Sequence, residues 1–278
     1  MFASDTLNEI LGDGGESIQG ETVLRFQGLT LAREGVSSLD DLDLQIRAGE
    51  TVALVADSEW VVRRAARAAI GLEAPQGGRV ELLGQDVLGL TEQARLRLRR
   101  SVGYLFHNSG LIHNLTVWYN VALPALYHSR FQDIEGVRGR VDLILQRCRL
   151  THVRDLRPAA LDEYTRKRVA LGRTWVLSPR LIVVEDPLVD IDSSSGSRLM
   201  EFAFGPTPPG WEGEDPRPAG AAVLITSQGL HESIFRFAHR LIIIREGKVV
   251  FADNPRLFDR RGKREAGDLI QDGNLRKP

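Results

Sequence analysis

Two near-continuous apolar runs, Thr51-Val52-Ala53-Leu54-Val55-Ala56 and Leu181-Ile182-Val183-Val184, restrict the fold more than any other feature of the chain. Side chains alternate between the two faces of a strand. A run that is apolar at successive positions must therefore be covered on both sides, as in a parallel sheet flanked by helices. Helical spacing follows the first run over residues 61–70, closed by Gly71, and the second over 193–204, which has a serine-rich start. Residues 23–31 and 39–46 partly alternate, as half-buried antiparallel strands do; 78–84 reads as strand and turn, 222–226 as a strand, and 241–252 as a hairpin around Glu246-Gly247-Lys248. From about residue 90 the pattern is helical: 92–100, 117–127, 134–150 and 163–177, with a further helix reaching about His239. Within 134–150, Val137, Val141, Ile144 and Leu145 share one face. Strands alternating with helices predict an α/β fold, interrupted by a helical block at 90–160.

Composition narrows the function classes. Of 278 residues, 42% are hydrophobic and 26% charged, with 36 Lys and Arg against 37 Asp and Glu. A net charge of −1 excludes nucleic-acid binding through bulk positive charge. Cys148 is the single cysteine, so no intrachain disulfide forms. No segment approaches the ~18 consecutive apolar residues of a membrane span, and Met1-Phe2-Ala3-Ser4-Asp5 lacks the basic stretch and apolar run of a signal peptide. The expectation is a cytosolic globular protein that meets a membrane only through a partner. Residues 1–20 read as a flexible leader, 21–255 as the domain, 205–220 with its five prolines as a loop, and 256–278 as a polar tail.

Over residues 22–255 the order of segments resembles the nucleotide-binding subunit of an ABC transporter. The likeness is carried by Leu39-Asp40-Asp41-Leu42-Asp43-Leu44, Val102-Gly103-Tyr104-Leu105-Phe106, Asn114-Leu115-Thr116-Val117, Asn120-Val121-Ala122-Leu123-Pro124, Arg168-Val169-Ala170-Leu171-Gly172-Arg173 and Ile244-Arg245-Glu246-Gly247-Lys248-Val249-Val250. The stretch Ser109-Gly110-Leu111-Ile112-His113-Asn114-Leu115-Thr116 is most similar to the Mla/MCE branch, which energises phospholipid transport across the bacterial envelope. The resemblance implies an ABC ATPase fold, with a RecA-like α/β core, an antiparallel β subdomain and a helical subdomain inserted at about 90–160. It also implies partners: an integral-membrane permease, a second ABC subunit (itself or a paralogue) and an MCE-type lipid-binding protein, at the cytoplasmic face of the bacterial inner membrane.

Where the family does its chemistry, this chain differs. The family's phosphate loop, G-x-x-x-x-G-K-[ST], aims backbone N–H groups at phosphates, adds a Lys and holds Mg²⁺ with a hydroxyl. The stretch that resembles it is Asp57-Ser58-Glu59-Trp60-Val61-Val62-Arg63-Arg64, without glycine. Positive φ at Trp60 or Val62 would cost ~1–2 kcal/mol. Asp57 and Glu59 put carboxylates where an anion should dock, Arg63 takes the Lys position and Arg64 replaces the hydroxyl. The Walker B pair reads Glu185-Asp186 rather than Asp-Glu, and a displacement of ~1 Å costs ~100-fold where positioning is the task. The signature L-S-G-G-Q is matched by Leu161-Asp162-Glu163-Tyr164-Thr165, whose acids start a helix well but repel phosphate. His107 replaces the Q-loop glutamine, Ser227 the switch histidine, and no aromatic stands around Ala32-Arg33-Glu34-Gly35 to stack adenine.

Three readings follow. The first is a non-hydrolysing subunit docked on a permease, with no catalytic residue, no metal and no cofactor expected. The second is an active ATPase using ATP and Mg²⁺ through an atypical loop, Arg63 acting for Lys. The third is a binding module unrelated to transport, in which Arg95, Arg97, Arg99 and Arg100 would engage nucleic acid; their interleaving with Leu96 and Leu98 is instead that of an ordinary charged helix face. By resemblance, His107, Leu111, Ile112 and Trp118 line the cleft that receives the permease, and Phe106 belongs either there or to the core.

Overall fold

The computed structural model describes residues 20–33, 36–129, 133–206, 215 and 217–261. The leader expected over 1–20 (save Gly20), most of the loop expected over 205–220, and 262–278 of the expected tail lie outside the described residues.

Two sheets organise the chain. An antiparallel sheet has the order β2-β1-β4-β5, formed by β1 (Thr22–Arg33), β2 (Val36–Arg47), β4 (Gly77–Leu82) and β5 (Gln85–Asp86). The second has six strands in the order β10-β9-β3-β8-β7-β6: β3 (Thr51–Ala56), β6 (Val102–Leu105), β7 (Leu181–Glu185), β8 (Ala222–Gln228), β9 (Arg240–Arg245) and β10 (Lys248–Asp253). Within it β6, β7, β8, β3 and β9 run parallel, and β10 closes one edge as an antiparallel hairpin. All residues of β3 and β7 are buried, as their continuous apolar runs demand. Helix α1 (Glu59–Ala68) follows β3, and α2 (Glu92–Arg99) precedes β6. Then come α3 (Val117–His128), α4 (Ile134–Arg147), α5 (Glu163–Trp175), α6 (Ser193–Phe204), the short α7 (Glu232–Phe235) and α8 (Pro255–Arg261).

The core divides around the parallel sheet. On one side Phe26, Val61, Val62, Ala65 and Leu224 pack between the two sheets and α1. On the other, Trp175, Cys148, Val121, Val141 and Ile144 join the helices to Ile182 and Val184. Each Val, Leu, Ile or Phe among them contributes ~1.5–3 kcal/mol over its exposed state. Gly103 lets β6 approach α5, because a Cβ there would stand 2.5 Å from the carbonyl oxygen of Thr174.

The structure corrects four expectations. The block from residue 90 is not wholly helical: Val102–Leu105 is the edge strand of the main sheet, paired with β7. Helix α1 begins at Glu59 rather than 61. The helix expected to reach His239 is four residues long, and His239 instead accepts the N–H of Thr51 at 2.9 Å through Nδ1. The chain also does not become a mere polar tail at 256, since α8 buries Phe258 edge-on against Phe251.

Candidate functional site

Helix α1 starts where β3 ends, and this contact shapes the site. Only Asp57 and Ser58 separate the strand from the helix; Glu59 to Arg64, the rest of the stretch compared with the phosphate loop, is the first turn and a half of α1. The backbone from 57 to 64 contains no positive φ. Val61 and Val62 are fully buried, and the N–H of Val62 donates to the carbonyl of Ser58 at 3.2 Å. Those amides serve the helix or start it, so the concave ring of N–H groups that wraps a phosphate is not built here.

The arginines of this turn are engaged by the chain itself. Arg63 lies between two carboxylates: it pairs with Glu59 one turn back, and its Nε is 3.9 Å from Oε1 of Glu185. Arg64 turns the other way, to Glu73 at 3.0 Å and the carbonyl of Ala74 at 2.8 Å, with its guanidinium 5.3 Å from the Trp60 ring centre. Arg67, one turn further, joins both groups, at 2.8 Å from Glu73 and 3.5 Å from Glu185. Positive and negative groups therefore alternate along this face of α1.

Glu185 is fully buried at the C-terminal end of β7. Besides the two arginines, its carboxylate accepts the Tyr104 hydroxyl at 2.5 Å and faces Nδ1 of His107 at 2.7 Å. A carboxylate only accepts, so this nitrogen carries the proton. Burial, then the Glu185 charge, push the Tyr104 phenol far above its ordinary value. Asp186, also buried, sits at φ 42 and is raised to about 6 by burial. Its Oδ1 lies 3.4 Å from the Ser227 hydroxyl, while its Oδ2 has no partner. Asp57 accepts the N–H of Glu246 at 3.2 Å through Oδ2.

At the other candidate segment, Asp162 caps α5 by accepting the N–H of Thr165 at 2.7 Å, a bond that holds its carboxyl below the usual range. Glu163 pairs with Arg166 at 3.0 Å, and the Tyr164 ring lies between the guanidiniums of Arg168 and Arg198, at 4.9 and 5.1 Å. The expected repulsion at this segment is therefore moderated by neighbouring cations. Among the cleft candidates, Ile112 is 39% exposed. Leu111 and Trp118 are half-buried against the helical core, and the Trp118 indole donates to Asp142 at 3.2 Å. The Phe106 ring lies tilted at 45° against Tyr104, with ring centres 4.4 Å apart. The basic helix α2 is also committed internally: Arg95 pairs with Glu92 at 3.0 Å, and Arg99 donates to the carbonyls of Ile70 and Gly71. Glu34 and Gly35 lie outside the described residues, so only Ala32 and Arg33 of the adenine position can be placed.

Sequence reasoning missed Tyr104, Arg67, Lys167 and Arg173 as members of this neighbourhood. It also passed over Asn120, fully buried, whose amide bonds to the backbone of Ile112, Leu115 and Thr116 and fastens that loop to α3.

Tested against a nucleotide with its Mg²⁺, these residues do not fit. The amide ring is absent, the hydroxyl position carries an arginine held by Glu73, and the partnerless carboxylate atoms Asp57 Oδ1 and Asp186 Oδ2 face a phosphate's own charge. Among the described residues, no three His, Cys, Asp or Glu side chains are grouped to hold a metal ion.

A parallel sheet with an antiparallel lobe, a helical arm and a site at the strand ends of β3 and β7 is the architecture of an ABC ATPase. A family model described as "ABC transporter" matches residues 39–189, and the chain belongs to that family. It is 30% identical over 190 residues to the lipoprotein-releasing system ATP-binding protein LolD of Chromohalobacter salexigens, covering 66% of this chain and 79% of that protein. It is 30% identical over 181 residues to the methionine import ATP-binding protein MetN 1 of Acinetobacter baylyi, covering 64% of this chain but half of that protein. The fold is also that of the ATP-binding cassette MJ0796 bound to ADP and Pi, with a TM-score of 0.70 and 22% identity over 84% of this chain and 99% of that one. No helix among the described residues is long and apolar enough to cross a membrane.

Proposed function

We propose that this chain is a non-hydrolysing ABC subunit, held peripherally at the cytoplasmic face of a bacterial inner membrane by a permease, with a structural role in transport. The observation that supports this reading best is the continuity of α1. The helix takes up the residues that would form a phosphate loop and buries two of them, Val61 and Val62, in the core. Arg63, the residue the active alternative needs as a phosphate ligand, already lies between Glu59 and Glu185. The cargo class is an envelope lipid of the Mla/MCE kind, with an MCE-type protein as a further partner. This rests on the likeness of residues 109–116 to that branch.

In the family dimer each nucleotide lies between one subunit's phosphate loop and the other's signature segment. Paired with an intact paralogue, this chain would contribute α1 to one site and Asp162-Glu163 to the other, so neither would be complete. Calorimetric titration of the full chain with ATP and Mg²⁺ tests the reading. The expected outcome is no binding, or a Kd weaker than ~100 μM, about −5.5 kcal/mol. A tighter constant favours the active alternative. So does turnover on the common scale of ~1–1,000 per second by a reconstituted complex with its permease and one intact paralogue.

A further inference from the structure

At the end of the parallel sheet opposite Glu185 and Asp57, the chain surrounds a cavity of about 420 Å³. Ala48, Arg180 and Ala221, which precede β3, β7 and β8, stand in its wall, and Arg140 of α4 and Arg217 face it from the side. Two backbone bonds fix this end of the sheet: the N–H of Gly49 donates to the Gly220 carbonyl at 2.8 Å, and that of Ala222 to the Arg180 carbonyl at 2.9 Å. The volume falls in the ~300–1,000 Å³ range of small-molecule sites.

The arginines are held by contacts that leave donors unused. Arg140 Nε donates to the Val176 carbonyl at 2.6 Å, and its Nη2 reaches the Trp175 carbonyl at 3.2 Å and the Ser178 hydroxyl. These acceptors, at the end of α5, are neutral. Among the described residues Arg140 has no ion pair, and its Nη1 has no bond. Arg180 pairs with Glu21 at 2.5 Å through Nη2 alone, and both side chains are about half exposed or more. Arg217 grips Asp215 with Nε and Nη2 at 2.9 and 2.6 Å, and the same carboxylate lies 3.6 Å from Nε of the buried Arg147. Among the described residues, four guanidiniums (Arg140, Arg147, Arg180 and Arg217) thus meet two carboxylates here, Asp215 and Glu21, which leaves two positive charges in excess. Val23, Leu143 and Pro179 give the wall an apolar side.

We propose that this cavity binds a small organic dianion, a phosphate monoester, with its oxygens on the unused edges of Arg140 and Arg180 and its apolar body on Val23, Leu143 and Pro179. Guanidinium edges match phosphate oxygens in pairs. A guanidinium already fixed by three bonds loses little freedom on binding. The two excess charges select a dianion, and the apolar wall selects an organic ester over the bare ion. The length of β3, about 20 Å, separates this cavity from the strand ends, so the proposal holds whether or not the chain hydrolyses ATP.

Calorimetric titration of the full chain with phenyl phosphate at about pH 8, where the monoester carries close to two charges, tests this. Phenyl phosphate should bind with a Kd of about 1 mM or tighter, and inorganic phosphate and phenol each about tenfold more weakly. Arg180→Gln should weaken the binding of phenyl phosphate about tenfold. Arg180→Lys, which keeps the charge without the paired donors, should fall between. Arg140→Met should weaken it at least as much. Because Arg140 also closes the end of α5, the exposed Arg180 carries the test should Arg140→Met fail to fold. Arg63→Gln, at the far end of the sheet, should change nothing. Absence of binding by the unmodified chain overturns the proposal, as does equal binding by Arg180→Gln. Loss of binding in Arg63→Gln also overturns it, by placing the anion at the strand ends. Equal affinity for inorganic phosphate and phenyl phosphate overturns the organic ester as the ligand.

Discussion

Arg64 points away from the strand ends and pairs with Glu73 at 3.0 Å, across the far end of its own helix. The residue that stands where the resemblance looks for a magnesium-binding hydroxyl thus serves to fasten the chain after α1. Both side chains are about a quarter exposed, which limits the value of the pair. Arg64→Ala should cost about 1 kcal/mol or less in urea unfolding and leave the response to ATP unchanged. A loss of several kcal/mol would place Arg64 in a more tightly coupled network than its exposure indicates.

Glu185 should behave differently. Its buried carboxylate faces Arg67, Arg63, His107 and Tyr104 together, so removing it takes a shared partner from four half-buried groups, although Arg63 keeps Glu59 and Arg67 keeps Glu73. Glu185→Ala is expected to cost about 3–5 kcal/mol, and Glu185→Gln, which still accepts from Tyr104, clearly less. Equal losses in the two variants would mean that the charge alone matters at this position, and that neither packing nor the Tyr104 bond contributes.

Asp186 carries a pH signature of opposite sign to that of most native carboxylates. Burial raises it from 3.8 to about 6, so between those values the folded state binds more protons than the unfolded one. Its contribution to stability therefore declines as pH rises through that window, and the cost is complete above pH 6. Asp186→Asn should stabilise the chain at pH 7.5 by on the order of 2–3 kcal/mol and lose that advantage by pH 4. Thermal unfolding at the two pH values measures this directly, and a variant less stable at pH 7.5 would refute it.

Asp162 works the other way. The Thr165 N–H lowers its carboxyl, so its stabilisation is present above the ordinary carboxylate range and fades on acidification. Asp162→Ala should cost about 1 kcal/mol at neutral pH through loss of the cap, whereas Asp162→Ser should cost little. Matching losses in both would show that the cap bond is not what the aspartate provides.

Docking can be tested at Ile112, the most exposed of the four cleft candidates. Ile112→Asp should release the chain from membranes containing its permease while leaving its circular dichroism and unfolding midpoint intact. Retention of the folded variant on those membranes would move the docking face elsewhere.

Much of the architecture was legible because it rests on local pattern. The runs that became β3 and β7 are apolar at successive positions, helix α6 has the bounds that its serine-rich start predicts, and Val137, Val141, Ile144 and Leu145 of α4 are all buried. Strand β6 was hidden because four residues at a sheet edge, buried only alternately, leave too short a signal among helices. The early start of α1 was hidden for another reason: Ser58 makes no side-chain cap bond, so the usual punctuation is missing. At the site, the residues singled out from the sequence were those occupying recognised slots. Their partners were not legible, because Tyr104 reaches Glu185 across 81 positions and Lys167 reaches His107 across 60. Pairings at such separations are created by the sheet order and leave no local trace.

The uninterrupted start of α1 also bears on reversibility. Restoring a glycine at Val62 would remove a fully buried valine, worth about 1.5–3 kcal/mol, and place in the helix a residue about 1 kcal/mol worse than alanine. Each step back toward a phosphate loop would thus be felt first as instability, before any amide was free to meet a ligand. A single substitution cannot cross that gap; segment 57–64 would have to be exchanged as a block, together with the carboxylates that now answer its arginines. On the proposed non-hydrolysing reading, the packing of this helix would act as a ratchet against a return to a phosphate loop.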